Sequence, residues 1–172
     1  MNVLLTVASR HGSAAEVGQH IAQTLEAGGY DVDERAPDEV SDLTPYDAVI
    51  VGSAVYIGRW LEPARRFVER HESTLRERPV WLFSVGPLGQ PPQPTEEPAE
   101  LPVLAERVGA RDRQLFAGKL GDRLGLGERA MVRMVKAPRG DFRDWPAIEG
   151  WAARIAMELA EASLRAQLAT VR

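Results

Sequence analysis

Residues 1–14 read MNVLLTVASRHGSA, and the change of pattern inside them decides the fold. Val3–Ala8 is a nearly continuous apolar run, broken at once by the polar, glycine-containing SRHGS of residues 9–13. A short run with apolar residues on both faces suits a central strand of a parallel sheet, buried on both sides. From Ser13 the period shifts, with Val17, Ile21 and Leu25 at helical spacing and Glu16, Gln19 and Gln23 between them. Gly28-Gly29 then stops the helix, as glycine commonly does at a C-cap.

The same alternation continues down the chain. Tyr30–Arg35 mixes apolar and charged residues as an outer, partly exposed strand does, and Ala48–Ser53 (AVIVGS) reads as a second buried strand leading into the loop AVYIG. Leu61–Leu75 is helical, with Phe67 and Val68 inward. Val80–Val85 (VWLFSV) is a third buried strand opening into the turn Gly86-Pro87-Leu88-Gly89. The proline- and glutamate-rich Gln90–Pro102 is expected as a surface loop, followed by a helix at Val103–Val108 and a strand at Gln114–Lys119. Trp145–Leu168 closes the chain as an amphipathic helix with Trp151, Ile155 and Leu159 on one face. Strands alternating with helices give a doubly wound α/β sandwich with a parallel sheet. Right-handed crossovers gather the loops after the strands at one end, where such sheets bind ligands at the switch point. Three glycine-containing loops are expected there, at residues 9–14, 54–58 and 86–89.

Composition narrows the functions. The 172 residues, 44% hydrophobic and 27% charged, suit one soluble domain with a single sizeable core. A formal charge of -4 argues against nucleic acid, whose binding needs a clustered cationic surface. Cysteine is absent, which removes disulfides, thiolate metal sites and cysteine nucleophiles together. The N-terminal apolar run is too short for a signal segment, and no stretch approaches the roughly 18 apolar residues of a membrane span. A cytoplasmic location is expected, with contact at a membrane surface left open.

The first loop, Ser9-Arg10-His11-Gly12-Ser13, joins a buried strand to a helix start. Helix N-termini present unpaired N–H groups and partial positive charge, so a phosphate bound there is stabilised without a lysine. Ser9 and Ser13 add hydroxyls, and Gly12 lets the backbone turn closely around the anion. The competing reading is an ordinary turn with Ser13 as a plain N-cap. Neither a Walker GK[ST] element nor G-x-G-x-x-G is present. In the second loop, Tyr56 and Trp60 are able to lie against a flat heteroaromatic ring, or simply to pack on the neighbouring helix.

SRHGSA after the first strand, GSAVYIG after the third and SVGPLG after the fourth resemble the three FMN-binding loops of flavodoxin-like proteins. With FAGKL, GERAMVRMVK and GDFRDW further on, the resemblance covers essentially the whole chain and is closer to the subgroup of menaquinone-dependent protoporphyrinogen oxidases. It implies a flavodoxin-like three-layer α/β sandwich with a five-stranded parallel sheet, binding FMN. By the same resemblance Ser9, Arg10, His11, Gly12, Ser13 and Ala14 hold the FMN phosphate. Ala54, Val55, Tyr56, Ile57 and Gly58 line one side of the isoalloxazine, and Ser84, Val85, Gly86, Pro87 and Leu88 the other. Ala14 departs from the pattern, because flavodoxins usually carry threonine there. The missing hydroxyl removes a charge-assisted hydrogen bond, typically worth about 1.5–3 kcal/mol.

Three functions follow from these residues. One is an FMN-dependent oxidoreductase acting on a quinone or small substrate, with no catalytic side chain assigned. Another is a flavodoxin-type carrier serving a redox partner protein. The third is a binding or regulatory module that has lost its cofactor, a reading kept open by Ala14. His11, His20 and His71 lack metal-ligand spacing. The basic segment Arg123–Arg143, with Arg133 and Lys136 among Met131, Val132, Met134 and Val135, reads either as a docking surface or as a solvated helix face. It falls in an extra segment, about 119–143, of what is expected to be one domain.

Overall fold

The computed structural model describes residues 1–86, 96–120 and 140–170. Its elements are β1 (Asn2–Ala8), α1 (Ser13–Ala27), β2 (Asp31–Arg35), β3 (Ala48–Tyr56), β4 (Arg59–Trp60), α2 (Glu62–Leu75), β5 (Val80–Val85), α3 (Leu101–Val108), β6 (Asp112–Phe116), β7 (Lys119–Leu120), β8 (Gly140–Asp141) and α4 (Trp145–Thr170). The main sheet runs β2-β1-β3-β5-β6, all parallel, with β4 turning back antiparallel on the end of β3. This is the expected doubly wound arrangement.

Alternation along the buried strands explains why helices cover both faces. Val3 and Leu5 of β1, Ile50 of β3 and Trp81 and Phe83 of β5 point to one side, against α1 and α4. Leu4, Val49, Val51 and Leu82 point to the other, against α2 and α3. With apolar groups on both faces, a strand stays in place only when both are roofed. On the α4 side the rings of Phe83 and Phe116 pack edge-on against Trp151, at 6.0 and 5.7 Å between centroids, and lie tilted to each other at 6.2 Å. The Trp151 indole N–H donates to Asp112 at 2.8 Å.

Several boundaries differ from the sequence expectation, each for a local reason. β6 begins at Asp112 rather than Gln114 and ends at Phe116 rather than Lys119. Its polar start is tolerated at the sheet edge because Trp151 satisfies Asp112. Lys119-Leu120 leaves the main sheet and pairs antiparallel with Gly140-Asp141. α3 begins at Leu101, so Pro102 belongs to a first helical turn and not to a loop, a position where its missing N–H costs nothing. β3 continues through Tyr56, so Ala54, Val55 and Tyr56 are strand and not loop. α4 runs to Thr170.

His71 on α2 is 8% exposed, its Nε2 3.3 Å from the carbonyl oxygen of Val40. Burial pushes its pKa down, outweighing the bond to Val40. A folded-state pKa below the unfolded 6.5 means that the unfolded chain binds more protons between the two values. Stability therefore falls as pH drops from neutrality through about 6.5. Thermal melts at pH 8 and pH 5.5 will show a smaller acid-induced drop in the His71→Phe variant than in the wild type.

Candidate functional site

Strand order places the site. The chain moves outward from β1 to β2, then crosses back to β3, so the order reverses between β1 and β3. Their carboxyl ends stand in register, Ala8 beside Ser53, and Ala54 pairs in turn with Val85 of β5. The carboxyl ends of β1, β3 and β5 thus lie side by side, at the position where doubly wound sheets open a ligand crevice.

The first loop ends in Gly12, which caps α1 at φ +86°, a left-handed conformation that costs glycine nothing. Glu16 N–H already donates to Gly12 O at 2.8 Å. No side chain caps the helix, and the N–H groups of the turn before Glu16 have no intrahelical acceptor. Ser13 is therefore the first helical residue and not an N-cap. Its Oγ accepts a 2.9 Å bond from the N–H of Lys119, keeping its own O–H to donate. Ser9 Oγ is buried and has no hydrogen-bond partner among the described residues. A buried hydroxyl left in this way calls for an acceptor. Arg10 and His11 are exposed. Ala14 is fully buried in the core beneath α1. Its methyl packs in that core.

The second loop is a β-hairpin. Tyr56 pairs with Arg59 across the two-residue turn Ile57-Gly58, both at positive φ (51° and 69°). Two such residues are what a type I′ turn requires, but a β-branched residue there is strained by about 1–3 kcal/mol. Ile57 is 71% exposed. Tyr56 is half-buried, with the Arg10 guanidinium over its ring at 4.8 Å, which ties the first loop to the hairpin. Trp60 offers no face to a ligand. It is 2% exposed, and its indole N–H donates to Ser84 Oγ at 2.7 Å. Its backbone N–H donates to Glu100 Oε1 at 2.5 Å, anchoring the hairpin to the start of α3.

At the third loop, the side chains of Ser84 and Val85 are buried in the core. What they can turn toward the crevice is backbone. Gly86 lies so close to the hairpin that a Cβ on it would fall 2.7 Å from Val55 Cβ. Its N–H donates to Phe116 O at 3.2 Å. Pro87, Leu88 and residues 89–95 lie outside the described residues, as do residues 121–139, which hold most of the basic segment.

Arg143, read from sequence as part of that basic surface, is 3% exposed at its side chain. It donates through Nη1 to Glu16 Oε2 at 2.5 Å, and through Nε and Nη2 to both oxygens of Asp141. Trp145 covers its flat face at 4.4 Å. Those bonds hold the Asp141 carboxyl below the usual carboxylate range. Pattern reading cannot find such a group, because lone arginines in a basic stretch look solvated. The one sequence sign was the acid–aromatic–arginine run GDFRDW.

A family model described as the flavodoxin domain matches residues 4–145. The chain belongs to the flavodoxin domain family. Its fold is the flavodoxin fold, a parallel sheet of five strands flanked by helices. A flavodoxin from the domain Archaea superposes with a TM-score of 0.66 at 15% identity, covering 93% of this chain and 99% of that one. Flavodoxin 1 from Bacillus cereus gives 0.62 at 13% identity, covering 89% and 95%. The rubredoxin oxygen:oxidoreductase of Desulfovibrio gigas gives 0.64 at 13% identity, covering 93% of this chain and 36% of that one. No curated protein sequence matches significantly. Among the described residues of this flavodoxin-family chain, no helix is long and apolar enough to cross a membrane.

Proposed function

We propose that this chain binds FMN in the crevice at the β1/β3 switch point and passes electrons or hydride through it. The observation that carries the reading is the buried hydroxyl of Ser9, without a partner among the described residues, beside a helix N-terminus with no side-chain cap. An anion in the first loop meets the first-turn N–H groups of α1 and the hydroxyls of Ser9 and Ser13. Tyr56 on the hairpin and the backbone of Ser84–Gly86 are the groups available to a flat ring, and Arg10 spans the phosphate and ring ends through Tyr56. When bound, the flavin supplies the redox chemistry, while the protein holds and orients it.

The oxidoreductase reading, acting on a quinone or small substrate like the protoporphyrinogen oxidase subgroup, is favoured over a pure carrier by one feature. The extra segment, about 119–143 of a single-domain chain, is anchored beside the first loop, where Lys119 bonds Ser13 and pairs with Asp141. A redox partner protein is the counterpart under the carrier reading. A cytoplasmic location, with membrane contact limited to the surface, is part of the same proposal.

Purified protein is expected to be yellow, or to turn yellow on adding FMN, and to release FMN on denaturation. It should bind riboflavin, which has no phosphate, at least tenfold more weakly. A colourless chain that FMN does not reconstitute would establish the cofactor-free module instead. Steady-state turnover of quinone or porphyrinogen separates enzyme from carrier.

A further inference from the structure

The first turn of α1 carries an acid in an awkward place. Glu16 Oε1 lies 3.7 Å from where a Cβ on Gly12 would stand, so its carboxylate flanks the loop to which the phosphate is assigned. A carboxylate in a first helical turn is attracted to the same N–H groups and dipole as a bound anion. Left to itself, Glu16 would compete with the phosphate for the helix end and repel it.

The opposite oxygen of Glu16 is taken up elsewhere. Arg143 Nη1 binds Oε2 at 2.5 Å, and Lys119 Nζ stands 4.0 Å from the same atom. The guanidinium cannot easily let go. Asp141 grips it at 2.8 Å and 2.6 Å, Trp145 covers its face, and 97% of the side chain is out of solvent contact. Two carboxylates and two cations, Glu16, Asp141, Arg143 and Lys119, form a cluster of zero formal charge. Asp141 and Lys119 face each other across the β7–β8 pair, so the cluster is built on that pairing and reaches back to α1.

We infer that Arg143 is a positioning residue for the FMN phosphate, acting through Glu16: it draws that carboxylate aside and neutralises it, leaving the helix end to the phosphate. The inference rests on the phosphate assignment made above. It makes the β7–β8 pairing a determinant of phosphate affinity, acting through Glu16 rather than by touching the ligand.

Titrations of the full chain with FMN and with riboflavin test this. Arg143→Gln is expected to raise the FMN dissociation constant at least tenfold and to leave that of riboflavin within about twofold. Adding Glu16→Gln to it should bring FMN binding back to within about threefold of wild type. Glu16→Gln alone should bind FMN at least as tightly as the wild type, because the carboxylate it removes is already neutralised, and it decides the matter if Arg143→Gln does not fold. Equal losses for the two flavins, or no rescue in the double variant, would mean that Arg143 merely supports the fold. Weakened FMN binding in Glu16→Gln would overturn the inference too. A wild-type chain that binds neither flavin removes the phosphate assignment and this inference together, whereas FMN selectivity in the wild type with no variant effect removes only the latter.

Discussion

Gly12→Val should raise the FMN dissociation constant by about two orders of magnitude. Gly12 holds φ +86° at the head of α1. A β-branched residue in that region is disfavoured by roughly 1–2 kcal/mol, which by itself is about tenfold in affinity if the loop relaxes to relieve it. Collision with the protein is not the cause, since the nearest atom to an added Cβ is Glu16 Oε1 at an ordinary 3.7 Å. The rest of the loss comes from the side chain standing where the main chain approaches the anion. Gly12→Ala should fall between the two, with most of the strain and little of the obstruction. If the strain is instead retained in the fold, the melting temperature drops and the loop keeps its shape, so both quantities should be measured. An unchanged dissociation constant for Gly12→Val would place the phosphate elsewhere.

The backbone frame was legible because burial on both faces leaves a strong mark. Val3–Ala8 and Val80–Val85 carry too much apolar surface on alternate residues for anything but interior strands, and α1 shows the period of a half-buried helix with a glycine stop. The hairpin after β3 was not legible. Type I′ turns advertise themselves as Asn-Gly or Asp-Gly, and Ile57-Gly58 sets a β-branched residue where sequence statistics rule it out. Tertiary anchoring by Trp60 overrides that local preference, and nothing local encodes it. The start of β6 was hidden for a similar reason, because Asp112 and Arg113 look like loop until Trp151 and Glu97 are seen to pair with them. At the site, residue types told which loops gather but not which way side chains point. Ser9 just past β1 and Ser84 near the end of β5 are the same residue at the ends of two parallel strands. One hydroxyl is buried without a partner among the described residues and the other accepts from an indole, and only packing distinguishes them. Glu16 and Arg143 are separated by 127 positions, so their pairing is a property of the fold.

Trp60→Ala should be the most destabilising single substitution near the site. The side chain is 2% exposed and packs with Phe67, Val51 and Leu82 in the core under α2. Truncating a buried tryptophan costs about 3–5 kcal/mol, a large part of a typical 5–15 kcal/mol total. For a chain of this size that corresponds to a fall of about 6–20 °C in melting temperature. The cost has a second part, because Ser84 Oγ, fully buried, loses the N–H that satisfies it. Trp60→Phe separates the two contributions. It keeps most of the apolar volume and removes only the donor, so it should cost about 1–3 kcal/mol and leave the hairpin register intact. FMN affinity then becomes informative. If Trp60 acts by packing, Trp60→Phe loses stability while binding FMN nearly as the wild type does, since the ring proposed to meet the flavin is that of Tyr56. A Trp60→Phe variant with unchanged stability and FMN binding weakened tenfold would mean that the indole swings out to meet the flavin. Its present 2.7 Å bond to Ser84 would then have to break when the cofactor binds.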